Sequence, residues 1–414
     1  MLNVGKRTVF HGDNLPIMEG INSGTIDCIY ADPPFLTQRD HHQRKNQKIR
    51  FAFSDKWDQP SIDDLRWLED QITDPKVLTS LSVKDNKRNL ELFDIIKISG
   101  YHSKGLRAYI LYMCRRLLEM KRILKPKGAI YIHCDQKTSH YLKVVMDSIF
   151  GKSKFKEIVW QRHKGAHNAL YGAIHDTLLY YGDGKIQEEA REKHSPEQIQ
   201  RNYKHVDEKG RYSVDTHLLY RIADKHDPSN ELHQPWRGVE AKLTTGALSS
   251  WVVVKDNLTG KWIEDNHIPN FTNIDSVHKR LDLLDEHGFI YWSKDGRPYF
   301  KQYLFEGYGR LPQSLWLDIN AVIGNSGQAT GYPTQKPEAL LRRIIKASVP
   351  RGGIILDPFC GSGTTIYAAL TLGRGCIAID NSELAIETIK EVFQQKIYED
   401  IIFRNDIPIR GDLE

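Results

Sequence analysis

Two short apolar runs near the C-terminal end constrain this chain's fold more than any other feature. Ile354-Ile355-Leu356 stops at Asp357, and the run over 376–379 stops at Asp380. The loop PFCGSG and a helical segment from about Thr364 to Leu372 separate them, and a second helix is expected over about 382–396. Upstream, KPEALLRRIIKAS (336–348) has helical periodicity, with Pro337 suited to a first turn. Strands and helices alternating across short turns predict a parallel α/β layer.

The N-terminal part repeats the pattern. Thr8-Val9-Phe10 predicts a strand ending in the turn His11-Gly12-Asp13-Asn14, and the run over 26–30 predicts another that delivers Asp32-Pro33-Pro34-Phe35. A helix over about 106–124, a strand over 129–133 and a helix over 136–150 follow. The runs 157–160 and 177–181 read as an antiparallel pair at a sheet edge. The expected fold class is therefore α/β, a doubly wound, mostly parallel sheet with an antiparallel edge hairpin.

From 183 to 329 the pattern changes. Hairpin-like segments centre on Glu208-Lys209-Gly210, on 257–260 and on Lys294-Asp295-Gly296, among dense aromatics. This predicts an inserted β-rich domain at 183–329, with 1–182 and 330–414 forming the main one. A further insertion at about 36–105 opens with LTQRDHHQRKNQKIR. That stretch reads as a solvated loop or as a mobile arm closing on a polyanion.

Composition narrows the class. With 40% hydrophobic and 27% charged residues the chain matches ordinary globular proteins. No apolar run approaches the ~20 residues needed to cross a bilayer. The opening MLNVGKRTVFHGDN has no apolar signal core, which points to a cytoplasmic protein. Cys28, Cys114, Cys134, Cys360 and Cys376 stand far apart, so free thiols are expected instead of zinc ribbons or dithiol redox sites. A formal charge of +5 permits nucleic-acid binding without demanding it.

The segment Asp357-Pro358-Phe359-Cys360-Gly361-Ser362-Gly363-Thr364-Thr365 places a glycine-x-glycine turn between a strand end and a helix start. Backbone can approach a ligand closely there. Ile366 stands where a dinucleotide fingerprint has its third glycine, and no Gly-Lys-Ser/Thr closes a phosphate loop. Asp380, at the next strand end, can accept from both hydroxyls of a ribose. The pair points to a nucleoside cofactor with no phosphate requirement, although a lone glycine-x-glycine more often just packs a helix. In Asp32-Pro33-Pro34-Phe35, two prolines remove two backbone donors. A carboxylate beside a fixed carbonyl is an acceptor-only site suited to an amino group, and Phe35 offers a ring for stacking. Taken alone, a DPP tripeptide is more often a rigid strand-ending turn, with Phe35 simply in the core.

Together, DPPF and DPFCGSGTT resemble the amino methyltransferases that act on DNA bases with S-adenosylmethionine, in the permuted order of the β class. HGDN (11–14), GAIYIHCD (128–135), IHDTLLYYG (174–182) and YPTQKPEALLRRII (332–345) also fit, and the likeness covers roughly two-thirds of the chain. The resemblance implies that Asp32, Pro33, Pro34 and Phe35 form the catalytic turn, gripping the amino group of an everted adenine. It implies a cofactor site of Asp13, Lys336, Asp357, Phe359, Gly361, Gly363, Thr364 and Asp380. In it Phe359, Gly361 and Gly363 line the methionine part, Asp380 meets the ribose and Asp13 the adenine amino group. Lys336 either neutralises the methionine carboxylate or anchors its helix.

The aspartate heading the turn implies adenine N6 as target, with cytosine N4 as the alternative. Implied partners are double-stranded DNA, a cognate restriction endonuclease and a second copy of the chain. The insert corresponds to a target-recognition region, with Lys209, Arg211, Arg237, Lys255, Lys261, Arg297 and Lys301 as candidate DNA contacts. Motif order argues against protein-glutamine and RNA-guanine methyltransferases. No cysteine follows a proline, so the covalent cytosine-C5 route lacks its nucleophile. No metal-ligand cluster stands out, and His41-His42 reads as polar surface. A non-catalytic specificity subunit is the reading from another class, and the intact Asp32, Pro33, Gly361 and Gly363 argue against it.

Overall fold

The apolar runs that end in aspartate become neighbouring central strands of a nine-stranded sheet. The computed structural model describes residues 1–45, 48–73, 83–163, 171–215, 219–222, 227, 229–241, 249–253, 258–305, 309–323, 327, 329–394 and 400–411. The chain divides into two compact units, Met1–Ala190 with Pro312–Glu414, and Arg191–Leu311. In the first unit the strands are β1 (Arg7–His11), β2 (Ile26–Ala31), the hairpin β3 (Asp40–Lys45) and β4 (Lys48–Ser54), β5 (Leu124–Cys134), β6 (Phe155–Gln161) and β7 (His175–Gly182). Strands β8 to β13 lie in the second unit. The first is completed by β14 (Leu315–Trp316), β15 (Ile354–Asp357), β16 (Gly375–Asp380) and β17 (Ile402–Arg404).

The large sheet runs β14-β6-β7-β5-β2-β15-β16-β1-β17. Its neighbours are parallel except for β7, which is antiparallel to both β5 and β6. Side chains alternate between two cores along the central strands, as period-2 geometry requires. Leu356, Ile377 and Ile379 face one core, shared with the helices Lys104–Ile123 and Ser139–Phe150. Ile355, Cys376 and Ala378 face the other, shared with the helices Glu338–Ser348, Thr364–Thr371 and Glu383–Gln394. The sheet is thus doubly wound. From β2 the chain moves on to β5, and from β15 it moves to β16 on the opposite side. Connections diverge between β2 and β15, so a crevice opens over their C-terminal ends.

Several expectations need correction. The hairpin β6–β7 is not at the edge, because β14 pairs in parallel with β6 through Leu315↔Val159 and Trp316↔Trp160. Pro337 is the N-cap of its helix and not a first-turn residue. The basic stretch after Phe35 is a hairpin, not a loop. Ala52 on β4 is buried with Tyr332, Leu384 and Ala385, and Arg50 pairs with Glu387 at 2.6 Å. His41 stacks on Phe53 with ring centroids 4.5 Å apart, and Phe53 in turn faces Tyr332 at 6.4 Å.

The second unit is narrower than the expected 183–329. Gln187 N donates to Ala347 O at 3.1 Å and Glu189 pairs with buried Arg374 at 2.6 Å, which keeps that segment in the first unit. At the other end, Trp160 Nε1 donates to Ile319 O at 2.7 Å. The second unit has a four-stranded antiparallel sheet, β12-β13-β9-β8, and a two-stranded one, β10-β11. These are β8 (His205–Asp207), β9 (Gly210–Asp215), β10 (Tyr220–Ile222), β11 (Ser249–Trp251), β12 (Ile290–Trp292) and β13 (Pro298–Tyr303). It also contains helices, so it is less purely β than its turns suggest. The hairpin expected around 257–260 is replaced by the helix Leu258–Asn266, residues 254–257 lying outside the described ones. Thr259, Gly260 and Ile263 share the buried face at helical spacing, and Ile263 is fully buried.

Candidate active site

A cavity of about 1270 Å³ opens over the C-terminal ends of the central strands. Asp13, Asp32, Pro33, Pro34, Phe35, Lys336, Asp357, Phe359, Gly361, Thr364 and Asp380 all line it. Segments at opposite ends of the sequence meet because β2 and β15 are hydrogen-bonded neighbours, Leu356 opposite Ile29. Gly363 is not among the lining residues. It takes φ +79°, and a Cβ there would meet Ile389 Cγ1 at 2.8 Å, so it lets the helix Thr364–Thr371 start against its neighbour.

On the side of the glycine turn Asp357 and Asp380 are both tied to the chain. Asp357 is buried; its Oδ1 accepts from Phe359 N at 3.1 Å and its Oδ2 from Thr365 Oγ1 at 2.5 Å. Burial pushes its carboxyl up to about 7, although the Thr365 and Phe359 bonds pull the other way. Asp380 accepts from Gly361 N through Oδ2 and from Ser382 N through Oδ1, both at 2.8 Å. Its carboxyl is likewise raised by burial against the pull of those two N–H groups. Gly361 has φ +48°, and a Cβ would stand 3.2 Å from the Tyr332 ring.

Asp13 caps the helix Asn14–Glu19, accepting from Leu15 N at 2.9 Å, and takes a second bond from Arg116 Nη2 at 2.7 Å. Buried Arg116 was not singled out by the sequence. It lies 3.4 Å over the Tyr112 ring and donates through Nε to Asn14 Oδ1 at 2.6 Å. Asn14 Nδ2 then donates to Pro358 O at 2.7 Å. This chain of bonds joins the HGDN turn to the DPF turn. A lone arginine among Tyr109, Met113, Leu117 and Met120 on one apolar helix stripe was the available signal.

The other side is built differently. Asp32 Oδ2 accepts from Lys336 Nζ, whereas Oδ1 is buried with no hydrogen-bond partner among the described residues. Lys336 Nζ also donates to Thr334 O at 3.2 Å and lies 5.7 Å from the Phe35 ring centroid. Behind this turn, Tyr30 Oη meets His133 Nδ1 at 3.0 Å and His133 Nε2 meets Asp176 Oδ2 at 3.0 Å. Arg162 Nε approaches Asp176 Oδ1 at 3.1 Å. Burial pushes the Asp176 carboxyl up, but the His133 bond and the charges of His133, Arg162 and Lys336 outweigh it and hold the group below the ordinary range. Tyr30 is raised well above its ordinary value by burial, with Asp32, Asp357 and Asp176 adding to the effect.

His41, read from the sequence as polar surface, lines the cavity and pairs with Asp55 at 2.9 Å. In the second unit several candidate DNA contacts are held by acidic neighbours. Lys301 pairs with Asp207 at 3.0 Å, Lys209 with Glu208 at 3.0 Å and Arg237 with Asp282 at 3.3 Å. Lys255 lies outside the described residues.

The motif order, the doubly wound sheet and the shared cavity converge on one class of protein, and comparison with known proteins agrees. Residues 26–391 match the family model for N6 and N4 methyltransferases, described as DNA methylase, and the chain belongs to that family. It is similar to the type II methyltransferase M.EcaI of Enterobacter cloacae, 30% identical over 291 residues covering 69% of this chain and 57% of that protein. It is also similar to the Mod subunit of the type III restriction-modification enzyme StyLTI of Salmonella typhimurium, 26% identical over 88% of this chain and 49% of that one. A shorter match, 48% identical over 75 residues, covers 18% of this chain and 25% of the DNA adenine methyltransferase YhdJ of Escherichia coli. The chain thus spans about half the length of the first two relatives.

Proposed function

We propose that the chain is a site-specific DNA methyltransferase, moving a methyl group from S-adenosylmethionine to the N6 amino group of an adenine rotated out of duplex DNA. The observation that carries this reading is that Asp32 and the Gly361 turn, from opposite ends of the sequence, line one cavity. An incoming amino group can donate to the Asp32 carboxylate, an acceptor-only group when ionised. Pro33 and Pro34 have no N–H to compete for that carboxylate. Phe35 stands beside it as a stacking face.

The residues of the glycine turn fit the cofactor. Gly361 has no side chain to fill the space next to Tyr332, and Asp13, Asp357 and Asp380 line the seat. Carboxylates suit a ligand bearing positive charge. S-adenosylmethionine, when bound, supplies an electrophilic methyl group on a positively charged sulfur. Asp32 does the chain's part of the chemistry. Its acceptor oxygen gains strength as the amino nitrogen becomes positive, so it stabilises the transition state more than the ground state.

Adenine is favoured over cytosine by the aspartate heading the turn and by the adenine-methyltransferase name of the Escherichia coli relative. In this reading double-stranded DNA is the partner, the second unit reads sequence, and the restriction-modification setting of the relatives adds a cognate endonuclease and a second copy as further partners. Expression in a host without DNA methylation, followed by mass analysis of the genomic nucleosides, tests it. N6-methyladenine is expected. N4-methylcytosine would transfer the reading to the alternative target, and unmodified DNA would overturn it.

A further inference from the structure

The likeness to known methyltransferases leaves Lys336 with the cofactor carboxylate or with its own helix, and the structure puts its ammonium elsewhere. Just 11% of the side chain is exposed, and it reaches across 304 positions to Asp32 Oδ2. We propose that Lys336 is a positioning residue for the target base: by clamping one oxygen of Asp32, it fixes the orientation of the carboxylate that meets the amino group to be methylated. This inference rests on the methyltransferase reading above.

Three observations carry it. First, a carboxylate turns easily about its last torsion, which is broad and twofold, so an aspartate held at neither oxygen presents no fixed acceptor. With Oδ2 on Lys336, the carboxylate has one defined orientation. Second, the ammonium has three donors, and two meet fixed acceptors, Asp32 Oδ2 and Thr334 O, while Phe35 offers its ring face. The clamp therefore joins the acceptor and the stacking ring of the same turn. Third, the loop that delivers Lys336 is wound at an energetic cost. Thr334 is β-branched yet takes φ 58°, a left-handed conformation uncommon for such a residue. Strain of this kind persists where surrounding contacts over-determine it, and it gathers at functional sites. Here Gln335 Oε1 accepts from Thr330 N at 2.8 Å and from Thr330 Oγ1 at 3.0 Å, and the Thr334 carbonyl points at Lys336.

The test separates binding of the cofactor from transfer. Lys336→Met and Lys336→Arg are compared with the unaltered chain in two measurements. S-adenosylmethionine affinity is read by titration calorimetry, and single-turnover transfer at saturating labelled cofactor is read on unmethylated bacterial genomic DNA. We expect Lys336→Met to bind cofactor within about threefold of the unaltered protein, itself evidence of an intact seat, and to transfer roughly 100-fold more slowly. Lys336→Arg can still reach Asp32 and should recover about tenfold of that loss. A fall in cofactor affinity beyond about tenfold, with single-turnover transfer near normal, would overturn the inference and return Lys336 to the cofactor. Equal losses in both variants and both measurements would overturn it too. An unaltered chain that methylates nothing would sink the underlying reading instead.

Discussion

Asp357 and Asp32 stand at the ends of adjacent strands and are treated in opposite ways. Both oxygens of Asp357 take bonds from the chain itself, from Phe359 N and Thr365 Oγ1. Among the described residues, Asp32 receives a single cation on one oxygen and no donor on the other. The difference separates a carboxylate that holds its own turn from one that is held by a single distant cation. Sequence position cannot separate them, since each follows a short apolar strand and precedes a proline.

The comparison breaks most visibly at Asp32. Asp32→Ala should lower methyl transfer by at least roughly 10²–10³-fold while S-adenosylmethionine affinity stays near normal. Loss of both together would erase the division. On the turn-holding side, Gly363→Ala should cost roughly 2–4 kcal/mol of stability, combining left-handed strain with a Cβ forced against Ile389. Chemical denaturation measures that cost, and a neutral result would mean the helix shifts freely. Thr365→Val should cost about 1–3 kcal/mol by stripping Asp357 Oδ2 of its donor.

The smallest effect is in pH. The Asp357 carboxyl sits at about 7 when folded, above its ordinary 3.8, so the folded state holds the proton more tightly. Its contribution to stability is full below about 4 and is lost as pH rises through 7. Thr365→Val removes a bond that favours the ionised form, so the variant should lose more stability at pH 8 than at pH 6. Melting curves at the two values, with equal losses at both, would refute the assignment.

Much of the sheet was legible because strand ends are local events. An apolar run, an aspartate and a turn lie within a few residues of each other, so β1, β2, β15 and β16 could be placed from periodicity and turn chemistry. The hairpin β3–β4 could not. Its first strand is basic and polar, and the pair is held by Ala52 docking on Tyr332, Leu384 and Ala385, far along the chain. The two-residue strand β14 carries no periodicity at all, and it exists because Trp316 and Leu315 extend β6. In the site, residue types were readable and pairings were not. DPPF announced an acceptor, but nothing local shows that Lys336 serves Asp32 or that Arg116 binds Asp13 and Asn14. In the second unit, turn residues at 257–260 outweighed the i, i+4 spacing of Leu258 and Trp262, and a helix was read as a hairpin.

All five thiols are buried, and Cys28, Cys114, Cys134, Cys360 and Cys376 all belong to the first unit. Burial pushes each of them up, away from the reactive thiolate. An alkylating reagent therefore sees sulfur only when this unit opens, and it is blind to whatever the other unit does. The chain carries a built-in gauge of breathing in its first unit, readable by counting mass increments without adding a label.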